Sequence, residues 1–289
     1  MTSKPFKFVV GPNRMEFFVH TEALIAISPV LRVMITGSMR EAVEGVAVLE
    51  NIDVEDFTGL CEYAYSGSYE SPIPDSAPPE LPFRPDGNAS NAYGVNSQPR
   101  AINFLHGTIK DAPAQQWMKK YRDPPVMSVY GHYDCYRYHD KDWTENLLYH
   151  ANIYILADTY DVSGLRSLAR HCIYKVLRIF EDTWDSIPAI EKLIRLIYEN
   201  TQKSDELRGL LSSYVAIKSE NFFLHPHMQK LRDDCPEFCS DVLQSTIECF
   251  ACELREVEEK LKRKNEELET TNADKRAKLE LEISSDDSS

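Results

Sequence analysis

Several classes of protein are excluded by what this sequence lacks. No Gly-rich phosphate loop, no nucleophile elbow and no His-Glu-x-x-His pair occurs along its 289 residues, so the side-chain spacings that build phosphate transfer, acyl transfer or zinc hydrolysis are missing. Basic charge is in deficit, 32 Lys and Arg against 46 Asp and Glu for a net charge of −14, which argues against direct binding to nucleic-acid backbone over a whole surface. The opening Met1-Thr-Ser-Lys-Pro-Phe-Lys-Phe8 has no apolar signal-peptide core. No apolar run reaches the roughly 18 to 20 residues that cross a bilayer, so the expectation is a protein of the nucleus or cytoplasm with no membrane role. Neither Kelch-like repeats nor paired Cys/His fingers are present. The seven cysteines, Cys61, Cys135, Cys172, Cys235, Cys239, Cys249 and Cys252, are odd in number and scattered. They suit a reducing compartment, where a thiol acts as a small hydrophobe.

What is present is an apolar content of 43%, enough for a buried core. Phe6-Lys-Phe-Val-Val10 and Met15-Glu-Phe-Phe-Val19 flank Gly-Pro-Asn-Arg and predict a β-hairpin. From Thr21, a candidate cap, the period turns helical through Leu24, Ile25 and Ile27 and breaks at Ser28-Pro29. A second helix carries Val30, Leu31, Val33, Met34 and Ile35 to Gly37, Val46–Leu49 predicts a strand, and Asp53 caps a helix that ends at Gly67. Residues 71–143 are rich in Pro and Gly without periodicity, and we expect a largely disordered insertion there. Helical spacing returns at Thr144 with Leu147, Leu148, Ala151, Ile155 and Leu156, and again after Asp161. Further helices follow, one capped by Ser186 or Asp185 with Pro188 in its first turn, one capped by Ser204. The fold class is therefore α+β, with an all-α second half.

At this point the residues resemble a known family. Phe17-Phe-Val-His-Thr-Glu-Ala-Leu24, Ser28-Pro-Val-Leu31, Glu41, Leu49, Phe57 and Tyr63-Ala-Tyr-Ser-Gly67 are similar to a BTB/POZ domain, a small sheet flanked by helices. Tyr154-Ile-Leu-Ala-Asp-Thr-Tyr-Asp-Val162 resembles that family's returning helix pair. Ser204-Asp-Glu-Leu-Arg-Gly-Leu-Leu211 resembles the helical extension of many fungal members. The resemblance implies a BTB/POZ unit in two parts, 1–70 and 144–180, interrupted by 71–143 and followed by a helical extension over 181–242. It also implies a non-enzymatic protein-interaction module, a homodimer or hetero-oligomer with protein partners and no cofactor. In many animal members an Asp before the first strand and a basic residue after the His form a charged groove; Pro5 and Thr21 stand at those positions, so a co-repressor groove of that kind is not expected.

Met39-Arg40-Glu41 resembles the element by which family members acting as ubiquitin-ligase adaptors contact a cullin scaffold, with a soft apolar anchor beside a carboxylate acceptor. His20 reads as a half-buried structural residue whose ring bonds nearby backbone. His132, Cys135 and His139 are three metal-type residues among Tyr130, Tyr133, Tyr136 and Tyr138. A closed zinc site needs a fourth ligand, so no metal is assigned and the aromatic cluster is taken as partner-facing. Leu243, Ile247, Phe250, Leu254, Val257, Leu261 and Leu268 alternate four and three apart, with Lys264 the charged seam position, and predict a coiled coil over 243–270. Lys262, Arg263 and Lys264, then Lys275, Arg276 and Lys278, have the spacing of a bipartite nuclear-localisation signal; i,i+4 pairing with the interleaved Glu residues is the competing reading. Residues 271–289 are expected to form a disordered acidic tail.

Overall fold

The computed structural model describes residues 4–72, 111–121, 142–179, 186–218 and 222–286; of 111–114, 179 and 276–286 it describes the backbone alone. Strands β1 (Pro5–Val10) and β2 (Met15–His20) form the expected antiparallel hairpin. Its turn needs the left-handed region at both ends, which Gly11 (φ 71°) and Arg14 (φ 53°) supply. Strand β3 (Val46–Leu49) joins the other side of β1 in parallel, giving the order β2-β1-β3. Alternation along β1 sends Phe6, Phe8 and Val10 to one buried face. There Phe8 and Phe17 meet Phe57 at ring separations of 5.1 Å each.

Helices α1 (Thr21–Ile27), α2 (Pro29–Thr36), α3 (Arg40–Glu44) and α4 (Val54–Ser66) surround this sheet. Thr21 is the first helical residue rather than the cap; His20 takes that position without a side-chain cap bond. Ser28 and Asp53 cap as read from the sequence, accepting from the amides of Leu31 and Glu55. Gly59 lets α4 approach its neighbour closely, since a Cβ there would come within 2.8 Å of Ile153 Cδ1.

The expectation that residues 71–143 lack elements of their own is corrected over one stretch. Helix α5 (Asp111–Lys120) lies inside it, and Trp117 and Tyr121, one turn apart on one face, are both buried. Trp117 Nε1 donates to the carbonyl of Leu210 at 3.2 Å and its ring lies 5.1 Å from that of Tyr174. Residues 73–110 and 122–141 are outside the described residues.

Helices α6 (Thr144–Thr159) and α7 (Ser163–Ile179) return to the α/β unit and complete its core through Leu147, Ile153, Leu165 and Ile173. The two flanks of the insertion are stapled together: Tyr69 Oη bonds His150 Nδ1 at 2.7 Å, and Asn146 Nδ2 donates to Ser71 Oγ and to the Pro72 carbonyl. Ser28 Oγ, buried, donates to the Tyr160 carbonyl, joining residues 132 apart in sequence. Because the chain leaves and re-enters at one place, a long insertion costs little closure entropy.

The elements that follow are helices: α8 (Ile187–Asn200), α9 (Glu206–Ile217), α10 (Pro226–Asp234) and α11 (Pro236–Asp286). Ser186 precedes α8 without a side-chain cap bond, and Asp185 is outside the described residues. The cap of α9 is Asp205, not Ser204; its carboxylate accepts from the Leu207 amide at 2.8 Å and from the Tyr154 hydroxyl. The expected disordered tail over 271–289 is corrected as far as Asp286, to which α11 continues unbroken; residues 287–289 are outside the described residues. Ala273, Lys275, Ala277, Lys278, Leu279 and Glu280 are all helix-favouring types once an anchored helix precedes them.

Candidate protein-interaction surfaces

Two sets of exposed apolar side chains stand out among the described residues. The first lies on the α/β unit. Gly37 ends α2, and a short connection brings Met39 to the N-cap of α3 in extended backbone, 54% exposed. Val43, one turn on, is 79% exposed. Arg40 lies 3.8 Å from Glu44, an exposed i,i+4 pair of little energetic weight, so the guanidinium can be redirected at small cost. Glu41 is half-buried in the first turn of α3, where the helix dipole favours a carboxylate. The structure therefore places Met39 at the N-cap of one short helix and Arg40 and Glu41 in its first turn, and adds Val43 to them. Sequence reading missed Val43 because a lone Val carries no motif; only its exposure marks it.

His20 does not bond nearby backbone through its ring. Its Nδ1 lies 2.8 Å from Tyr65 Oη, and that same hydroxyl accepts from the His20 amide at 3.0 Å. The ring is a tie between β2 and the end of α4, which fits a structural role. His132, Cys135 and His139, with the neighbouring tyrosines, lie outside the described residues; among the described ones no cluster of three or more metal-ligating side chains occurs. Cys61, Cys235, Cys239, Cys249 and Cys252 are free thiols. Burial, aided by Glu62, pushes the Cys61 thiol up to about 12, away from the reactive thiolate.

The second set lies on α11, whose root is fixed by a polar clamp. Arg208, almost fully buried, donates to Glu237 at 2.7 Å and to the carbonyls of Tyr198 and Thr201, and stacks 4.5 Å from the Tyr198 ring. Arg208 and Lys203 hold the Glu237 carboxylate below its ordinary pKa through hydrogen bonds. Tyr198 donates to Asp241 at 2.7 Å. Phe238, Val242 and Ser245 are buried at positions spaced four and three apart, so one stripe of the helix docks on the helical extension. The predicted seam is a different stripe. Leu243, Ile247, Phe250, Leu254, Val257, Leu261 and Leu268 are each 52–64% exposed. A seven-residue repeat that puts Leu243 and Ile247 at the d and a positions puts Phe238, Val242 and Ser245 at f and c, on the opposite side. Lys262, Arg263, Lys264 and Lys275 are exposed along the same helix, while the side chains of Arg276 and Lys278 are outside the description.

Among the described residues no helix is long and apolar enough to cross a membrane. No curated protein matches this chain. The α/β unit is another matter: residues 6–79 match the family model described as the BTB/POZ domain. The hairpin, the parallel third strand and the helices around Phe57 thus build a BTB/POZ domain, an interaction module by type, at the head of a helical chain.

Proposed function

We propose that the chain is a non-enzymatic adaptor whose BTB/POZ domain engages a cullin-type ubiquitin-ligase scaffold through Met39, Arg40 and Glu41. The observation that carries this reading is the outward presentation of Met39 and Val43 on α3, an apolar pair that the domain's own core does not use. An exposed thioether and branched side chain beside a carboxylate form a small anchor with a directional rim, the arrangement of an interface hot spot. The test is capture of the full chain by a cullin scaffold, wild type against Met39→Ala/Glu41→Ala, with circular dichroism to confirm that both remain folded. Weakening of about tenfold or more supports the reading; equal capture, or none by either, overturns it.

A second reading, a nuclear oligomeric scaffold with no ligase link, is favoured by the open seam of α11 and by the basic side chains beside it. It predicts that Lys275→Ala/Arg276→Ala abolishes nuclear accumulation of a fluorescently tagged full chain. Unchanged nuclear signal would remove its support.

A further inference from the structure

The open seam of α11 specifies its partner by charge. The a positions are Ile247, Leu254, Leu261 and Leu268, and the d positions are Leu243, Phe250, Val257 and Lys264. In a parallel, in-register pair of identical helices, each g position faces the following e position of the other copy. Glu253 would then face Glu258 twice, and Lys264 would face Lys264 within the seam. Both arrangements bring like charges together. In an antiparallel pair, a positions face d positions, and g faces g while e faces e. Full overlap then sets Leu243 against Leu268, Ile247 against Lys264, Phe250 against Leu261, and Leu254 against Val257. Glu253 meets Lys260 of the other copy, twice by symmetry. The remaining flanking pairs, Ala251 with Glu258, Thr246 with Glu267 and Gln244 with Asn265, contain no like charges. In such a pair the stem of Lys264 would cover Ile247 of the other copy while its ammonium reached water.

We propose that α11 is a self-recognition surface that pairs antiparallel with α11 of a second copy of this chain along residues 243–268. Access is provided by the fold, because the helical extension occupies the c and f side near the root and leaves the a and d side exposed from Leu243 to Leu268. Lys260 is free to exchange partners, since its present contact with Glu256 is an exposed 3.5 Å pair. The inference goes beyond the adaptor reading and does not depend on it.

The test is the dissociation constant of the full chain by sedimentation equilibrium at low ionic strength, where exposed charge pairs are least screened. Leu254→Asp/Leu261→Asp removes the seam without touching the core and sets the baseline, so that association through the BTB/POZ domain is subtracted. Wild type should associate more tightly than this baseline. Glu253→Lys should weaken association by about tenfold, because attractive pairs become repulsive ones. Glu253→Lys/Lys260→Glu should restore it. A parallel pair predicts the reverse for Glu253→Lys, which would create attraction to Glu258. The proposal is overturned by wild type no tighter than the baseline, by Glu253→Lys tightening or leaving association unchanged, or by a double variant that fails to recover.

Discussion

The BTB/POZ domain and the α11 arm both leave apolar side chains in water, but they do so differently. On the domain, Met15, Phe18, Val30, Val33, Met39, Val43 and Val48 are spread over two strands, two helices and a connection. On the arm, seven side chains stand in one line along one helix. A line with a seven-residue period can be satisfied only by another helix, so the arm carries information about its partner's shape. The scattered set of the domain carries much less, and there the partner must be found through a few residues such as Met39 and Val43. A second contrast is electrostatic. The α/β unit, with α6 packed on it, buries His150 and half-buries Asp56, whereas every side chain of the arm from Val257 to Lys275 is exposed, so pH acts on the first far more than on the outer arm.

The sharpest way to break this comparison is to mutate opposite sides of α11. Phe238→Ala should cost about 3–5 kcal/mol in chemical denaturation of the full chain, as for a large buried aromatic. Leu254→Asp should stay within about 0.5 kcal/mol when measured at concentrations too low for association. Comparable losses from both would mean that the seam belongs to the fold after all.

The electrostatic contrast is tested next. Burial pushes His150 down to about 3. The unfolded chain therefore takes up a proton below pH about 6.5 while the folded chain does not, and stability falls as pH drops from there toward 3. Between pH 6.5 and 5 this residue should contribute a slope of up to about 1.4 kcal/mol per pH unit. His150→Asn should remove that part of the slope, and an unaltered slope would sever the link between the clasp at Tyr69 and acid sensitivity. The smallest effect concerns Asp56, raised to about 7 by burial and by Asp53 and Glu55. Its folded form holds a proton that the unfolded chain has already lost, so stability declines as pH rises from about 4 to 7. Asp56→Asn should raise the melting temperature at pH 8 and leave it unchanged near pH 3; a gain at both would assign the effect to something other than titration.

Much of this was legible in the sequence where a period or a cap sits in adjacent residues. The switch from strand to helix at Thr21, the Ser28 cap, the Asp53 cap and the α11 seam all depend on neighbours within a few positions. The failures share a cause, a partner far along the chain. Ser204 and Asp205 are equally good caps locally, and the hydroxyl of Tyr154 decides in favour of Asp205. The ring of His20 is held by Tyr65, 45 residues away. Helix α5 was hidden because Pro113 and the polar residues around it obscure a pattern of only two anchors, Trp117 and Tyr121, whose slot is built by Tyr174, Leu210 and Tyr214. At the interaction surface, Met39, Arg40 and Glu41 could be named from a resemblance, whereas Val43 emerged only from its position on α3.

Because α11 runs unbroken from its clamped root to its outer end, the direction in which the seam points is a matter of phase. One residue added between Val242 and Leu243 would turn everything beyond by about 100°, swinging the hydrophobic line toward the side on which the helical extension packs, whereas seven would restore its heading and move it outward by about 10 Å. The arm can therefore change length only in whole repeats without losing its aim. With two copies joined across the midpoint between Arg255 and Glu256, their Val242 anchors would lie about 40 Å apart along the helix axis. In that arrangement the helix is a ruler, and its register sets the distance at which two BTB/POZ domains are held.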